Sequence, residues 1–172
     1  IFRQHDVQEL FHTLFATITE RWPAIQLSKT IQTLYQGIMI DYINCTNCNT
    51  TRTRDDPFTD LSLDVKGIAS LSDSIHAFIR ADTLEGSNAY NCSVCASKQK
   101  ALKGLRLKQI PYFLCLQLKR FEMNWNTGLR EKIHTPFSFP QILDMAPFVH
   151  ESSGEQQQYE LFAILMHTGA AG

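Results

Sequence analysis

Two short cysteine knuckles restrict this chain more than any other feature. Asn44-Cys45-Thr46-Asn47-Cys48 and Asn91-Cys92-Ser93-Val94-Cys95 each place two thiols three positions apart, with a long stretch between them. A Cys-x-x-Cys turn aims both side chains at a common point, each able to reach an ion at roughly 2.3 Å, and two such turns complete the closed four-sulfur shell of a structural zinc site. A closed shell leaves no position for a substrate. Four thiolates around a divalent cation carry a charge of about −2, which calls for cations nearby. Arg52, Arg54, Lys98, Lys100 and Lys103 are close in sequence. Two disulfides, a redox-active pair or four ordinary buried thiols are the competing readings; the matched pair of knuckles favours the metal.

Composition bounds the rest. With 172 residues, 44% of them hydrophobic and 19% charged, the chain has material for one core or two small subdomains. A formal net charge of −1 gives no broad basic field, so nucleic acid is not an expected partner. No membrane partner is expected either, since the longest apolar runs, such as 111–116, fall far short of the roughly 20 residues that span a bilayer. An odd number of cysteines and no signal peptide at the start point to a reducing compartment, the cytoplasm or nucleus. The chain opens on Ile1-Phe2-Arg3 without Met and stops at Gly169-Ala170-Ala171-Gly172 directly after an apolar run, so it reads as part of a larger domain.

The order of elements is α+β. Between 5 and 22 the apolar residues Val7, Leu10, Phe11, Leu14, Phe15, Ile18 and Trp22 fall in helical rhythm, closed by Pro23. A second, shorter helix is expected over 28–35, with Ser28 as N-cap and Gly37 past its end. Strands are expected over 38–43 and 58–65, with the first knuckle at the turn between them, and a helix over 71–79 after Ser70 or Ser72. The second knuckle then sits at a hairpin tip, before a strand over 102–110. The run 111–121 reads as a central strand buried on both faces. Further strands are expected over 132–139 and 159–166, the last with no later strand to pair with.

These features, in this order, resemble the ubiquitin-specific proteases, also called ubiquitin carboxyl-terminal hydrolases. The resemblance is carried by Gln4-His5-Asp6-Val7-Gln8-Glu9-Leu10, the paired knuckles, Pro57-Phe58-Thr59-Asp60-Leu61-Ser62-Leu63, Gln117-Leu118-Lys119-Arg120-Phe121, Phe139-Pro140, and Tyr159-Glu160-Leu161-Phe162 through His167-Thr168-Gly169. It is nearest to the subgroup with a Gln-His-Asp box. It implies a papain-like cysteine protease of thumb, palm and fingers, incomplete here: residues 1–36 thumb helices, 37–110 fingers stapled by zinc on Cys45, Cys48, Cys92 and Cys95, and 111–172 partial palm. The implied reaction is attack of a His-activated Cys thiolate on the bond after the terminal glycine of ubiquitin. The family's nucleophile motif lies upstream of the Gln-box and its base, in a Gly-Gly-His-Tyr motif, downstream. The expectation is therefore a deubiquitinase segment with no triad residue, inactive alone, whose partners are ubiquitin and ubiquitinated proteins. A zinc-ribbon interaction module or an inactive ubiquitin-binding pseudoenzyme is the alternative.

Several residues compete for a functional role. Cys115 lies within Phe113-Leu114-Cys115-Leu116, where burial would raise its pKa, so it reads as core and not as nucleophile. His167 matches the family's structural His-x-Gly. His134 and His150 fall in expected loops, and His5, His12 and His76 on helices without an evident partner. Asp6 and Glu9 are helix neighbours. As acids in a first turn they oppose the helix dipole; the resemblance adds that both face the arginine-bearing tail of ubiquitin. It likewise implies that Phe121 lines the channel for that tail, against a reading as a core aromatic. Lys119 and Arg120 are expected to hold the strand end.

Overall fold

The computed structural model describes residues 7–21, 25–150 and 157–168. Two helices open the chain, α1 (Val7–Arg21) and α2 (Ile25–Tyr35). Helix α2 begins ahead of Ser28, which therefore lies within it and not at its cap. The apolar stripe expected along α1 is only half used. Phe11, Phe15 and Ile18 are partly buried, whereas Leu10 and Leu14 are 63% and 50% exposed. What joins the helices to the β structure is a chain of aromatic rings: Phe11 on Phe15 at 4.2 Å, Phe15 on Tyr35 at 4.8 Å, and Tyr35 on Phe113 at 5.2 Å. Tilted and edge-on pairs of this kind add about 0.5–1.5 kcal/mol each to area burial. The Phe113 amide also donates to the Leu34 carbonyl at 2.7 Å, satisfying an acceptor at the end of α2.

The largest sheet has four antiparallel strands in the order β2-β1-β7-β4, formed by β1 (Gly37–Cys45), β2 (Thr51–Phe58), β4 (Asp82–Leu84) and β7 (Ala101–Gln109). Strand β1 is paired along both edges: Gly37 to Asn44 oppose Phe58 to Thr51, and Ile38 to Cys45 oppose Gln109 to Ala101. The sequence reading missed β2. Its polar run Thr51-Arg52-Thr53-Arg54-Asp55-Asp56-Pro57 carries no strand signature because the strand lies on the sheet edge with nearly every side chain exposed, where a proline is tolerated.

After a bend at Thr59, β3 (Asp60–Asp64) alternates as expected, with Leu61 and Leu63 fully buried and Asp60, Ser62 and Asp64 turned away. It pairs in parallel with β8 (Cys115–Lys119), Asp60 opposite Cys115 and Asp64 opposite Lys119. The connection between them includes α3 (Leu71–Ile79), whose N-cap Ser70 accepts from the Asp73 amide. Phe58, Leu61, Leu63, Leu71, Ile75 and Leu107 meet with Leu143, Met145 and Phe148 in one core. The buried Ser74 hydroxyl is satisfied by the Asp64 carbonyl at 2.6 Å.

Three C-terminal expectations are corrected. The strand expected over 111–121 is shorter: β8 covers Cys115–Lys119 and a break at Arg120 separates it from β9 (Phe121–Asn124). Its side chains are half-buried, with β3 as the paired neighbour among the described residues. The strand expected over 132–139 is displaced, because β10 (Leu129–Lys132) closes a hairpin with β9 through Gly128 at φ +69°, and 133–137 is irregular. Over 159–166 only β12 (Gln158–Glu160) forms, and it does have a partner in the earlier β11 (Ile142–Asp144). The Tyr159 hydroxyl donates to the Pro111 carbonyl, and burial pushes that phenol up to about 12.

One glycine is required by space. A Cβ at Gly37 would strike the Phe58 ring and stand 2.7 Å from the Gln109 carbonyl oxygen, where β1 is closed between both neighbours. Gly37→Ala is expected to destabilise the fold by about 1–3 kcal/mol, read as a lower denaturant midpoint with an unchanged m-value.

Candidate metal centre and the strand end at Phe121

The four knuckle cysteines come together as expected. The first knuckle is the turn between β1 and β2; the second closes the hairpin of β5 (Tyr90–Cys92) and β6 (Ser97–Gln99). Because β1 and β7 pair up to Cys45 and Ala101, the two turns lie side by side at one end of the sheet. The Thr46 amide and hydroxyl lock them by donating to the Lys100 carbonyl at 3.0 and 2.8 Å.

All four Sγ atoms lie within 4.8 Å of one another, with Cys45–Cys95 at 4.0 Å and Cys48–Cys92 at 3.6 Å. Sulfurs bonded at ~2.3 Å to one tetrahedral ion stand about 3.8 Å apart, and a disulfide would need about 2.05 Å. All five cysteines are free thiols, so the disulfide alternative is not what the chain adopts. The donor set and spacing fit a metal ion in a closed shell. Residues Asn49 and Ala96, each directly after the second cysteine of a knuckle, both take positive φ, +56° and +52°. That shared left-handed step costs an alanine roughly 1–2 kcal/mol, and it turns each chain back beneath its sulfurs.

Of the cations expected around the cluster, Arg52 donates from Nη2 to Ser93 Oγ at 2.6 Å and so ties the knuckles to each other. Lys100 pairs with Glu85 at 2.8 Å, and Arg54 lies 3.8 Å from both Asp41 and Asp56. Polar contacts also reach the sulfurs directly. Asn47 Nδ2 donates to Cys95 Sγ at 3.4 Å, and Cys48 Sγ lies 3.3 Å from the Thr50 hydroxyl. Hydrogen bonds from the side chain and backbone of Thr50 draw the Cys48 thiol down to about 6. At Cys95 the Asn47 amide acts in the same direction but is outweighed by burial and by the other three cysteines, leaving it near 12. Only a cation at the centre makes four adjacent thiolates compatible.

At the other end of the parallel pair, Arg120 is pinned by hydrogen bonds from Nη1 to the Thr135 and Ile133 carbonyls at 2.7 and 3.3 Å, and Lys119 by Asp64 at 3.1 Å. Both residues hold the strand end, as the sequence suggests. Phe121 follows them, half-buried, with the His167 ring edge-on at 5.1 Å. Lys132, opposite Phe121 on β10, donates to the His167 carbonyl at 2.8 Å. Glu9 stands exposed in the first turn of α1. Asp6, expected beside it, lies outside the described residues, as does His5.

Other sequence candidates fall into structural roles. The Cys115 thiol is raised by burial and then by the Asp60 carboxylate. His76 meets Phe148 edge-on at 4.7 Å, and Arg106 Nη1 donates to His150 Nε2 at 3.0 Å. His12, for which the sequence offered no partner, lies 3.0 Å from Asp60. No spacing rule could have found that pair, because it joins the helical layer to β3.

An α+β chain with a parallel strand pair, an antiparallel extension and a four-cysteine cluster at its tip defines the papain-like thumb, palm and fingers class. The family model for ubiquitin carboxyl-terminal hydrolase matches residues 1–172, and the chain belongs to that family. It is 38% identical over 163 residues to ubiquitin carboxyl-terminal hydrolase 47 of Drosophila melanogaster, covering 90% of this chain and 10% of that protein. With the Homo sapiens protein of the same name it shares 36% over 165 residues, covering 92% and 12%. With ubiquitin carboxyl-terminal hydrolase 5 of Schizosaccharomyces pombe it shares 34% over 170 residues, covering 98% and 15%. The chain thus spans only 10–15% of the length of these relatives. Among solved structures, a chain of the SAGA Ubp8/Sgf11/Sus1/Sgf73 DUB module bound to ubiquitin aldehyde is similar at a TM-score of 0.82 and 30% identity, covering 97% of this chain and 39% of that one.

Proposed function

We propose that this chain is a segment of a deubiquitinating thiol protease that hydrolyses the isopeptide or peptide bond after the C-terminal glycine of ubiquitin. The observation that carries the reading is the agreement of the family match with the fold over the same residues. Residues 1–36 serve as thumb helices, 37–110 as fingers and 111–172 as part of the palm. The segment contributes no member of the catalytic triad and is inactive alone. The raised Cys115 thiol supports that division, since a buried thiol beside a carboxylate is a poor nucleophile.

The metal in this reading is zinc, held by Cys45, Cys48, Cys92 and Cys95. It supplies a cross-link between the two hairpins and no chemistry on the substrate. Cysteine-only ligation and sulfurs spaced for a tetrahedral ion support zinc over oxygen-seeking cations. Its expected signature is about one zinc per chain by elemental analysis, lost in Cys45→Ser or Cys92→Ser; a fully folded metal-free preparation would overturn it.

Asp6 and Glu9 take the arginine-bearing tail of ubiquitin through carboxylate–guanidinium pairs, and Phe121 lines the channel beside it. The exposure of Glu9 and the fixed strand end under Phe121 support these assignments. Ubiquitin and ubiquitinated proteins are the partners, and the cytoplasm or nucleus is the compartment. In the full-length protein, cleavage of a ubiquitin–fluorophore conjugate is expected, with charge reversal at Asp6 and Glu9 raising KM at least tenfold, as expected from losing one charge-assisted pair. Unchanged kinetics would remove the tail assignment. A protein that binds ubiquitin without turning it over would favour the pseudoenzyme.

A further inference from the structure

The aromatic rings that fix α1 to the rest of the molecule share one property. All are apolar contacts with tilted or edge-on geometry, so they hold one face of the helix against the β structure, and a directional polar bond sharpens the rotation that they set. Rotation matters here, because Glu9 stands on the exposed side of that helix. A directional polar contact joins α1 to the first residue of β3: His12 Nε2 to Asp60 Oδ1 at 3.0 Å. A hydrogen bond constrains direction as well as distance.

Burial makes this bond stronger than an ordinary surface pair. The Asp60 side chain is only 11% exposed while His12 is 49% exposed, so the acceptor is sheltered from water and the donor approaches from the open side. Asp60 is itself immobile. It begins the parallel ladder opposite Cys115, one residue before the fully buried Leu61. His12 also lies three positions after Glu9, so both side chains belong to one flank of the helix. Fixing one fixes the other. Phe11 touches the His12 ring edge-on at 5.7 Å and limits the rotamers from which Nε2 can reach β3.

We propose that the His12–Asp60 bridge is a positioning device that sets the rotation of α1, and through it the placement of Glu9 against the ubiquitin tail. This rests on the tail-binding role given to Glu9 above. His12 and Asp60 do not touch the substrate; they act through the helix.

The test uses the full-length protein and a ubiquitin–fluorophore conjugate. His12→Ala and Asp60→Asn are each expected to raise KM about tenfold, the worth of one hydrogen bond to a charged group, with kcat within about twofold. The double variant should fall clearly short of the sum of the two single effects, since both remove the same bond. His12→Gln, whose amide can still donate to Asp60, should restore KM to within about threefold of the parent. Additive effects would mean that Asp60 meets the substrate itself, and a fall in kcat at constant KM would place the pair elsewhere in the reaction; either overturns the proposal. A second arm needs no turnover. Amide hydrogen exchange in α1 should quicken about tenfold in both single variants, with β3 unaffected in His12→Ala. Unchanged exchange in α1 overturns the bridge alone. Absence of turnover in the parent protein overturns the functional reading, and the tail positioning falls with it.

Discussion

The rest of the structure depends on the ladder between β1 and β7. At one end it is closed by Gly37 and Ile38 against Phe58 and Gln109, beside the buried Leu107 of the core. At the other it delivers Cys45 opposite Ala101, both without exposure, where the second knuckle has just ended. Its register decides whether four sulfurs meet. Strand side chains alternate faces, so a slip of one residue would turn Cys45 away and leave an ion with an incomplete shell. The dependence runs both ways, since binding energy at a site that exists only when folded is folding energy. A metal held between the tips would therefore select this pairing over its neighbours, and β2, whose polar side chains give it little reason to form alone, gains its place by hydrogen bonding to β1.

The parallel pair β3 and β8 performs a different task. Leu61 and Leu63 sink one face of β3 into the core, while the polar residues of the same strand face outward in step with β8. Ser62 bonds Gln117 at 2.6 Å, and the last rung is the Asp64–Lys119 pair. Arg120 then turns its guanidinium to two carbonyls of 133–135, which have no strand partner of their own. The chain can therefore stop pairing at that point without leaving those acceptors bare, and Phe121 is presented from a rigid end. A side chain placed directly after a pinned strand has far less freedom than one carried on a loop.

How much was legible in the sequence follows from how local each signal is. The knuckles, the helix Leu71–Ile79 with its Ser70 cap, and the alternation of Leu61, Leu63 and Val65 depend on neighbours a few residues away, and all are present. The four-cysteine cluster was readable because each half is complete within four residues. Strand β2 was not readable, because its conformation is imposed by the edge of β1 and not by its own composition. The run from 111 to 121 misled for a related reason: continuous apolar character suggested a central strand, whereas Phe113 leaves that path to join the aromatic chain with Tyr35. Leu10 and Leu14 fit a helical stripe yet remain exposed, since periodicity reports which residues share a face and not what covers it. The His12–Asp60 contact had no signal at all, being a meeting of two elements fixed by everything between them.

Asp60 draws these threads together. Its carboxylate stands opposite Cys115 and adds to the burial that keeps this thiol protonated. The same carboxylate receives His12 from the helical layer. Cys115 thus stands opposite in character to Cys48, the knuckle thiol that the hydrogen bonds of Thr50 draw down at the far end of the sheet. The contrast between these two thiols follows from one electrostatic rule applied in opposite directions: hydrogen bonds to a sulfur favour thiolate, while a nearby anion and a dry environment oppose it. Replacing Asp60 would therefore do more than free α1. It would also ease the ionisation of Cys115, so oxidation or alkylation at a strand that is otherwise inert becomes a consequence of losing a contact made from outside the core.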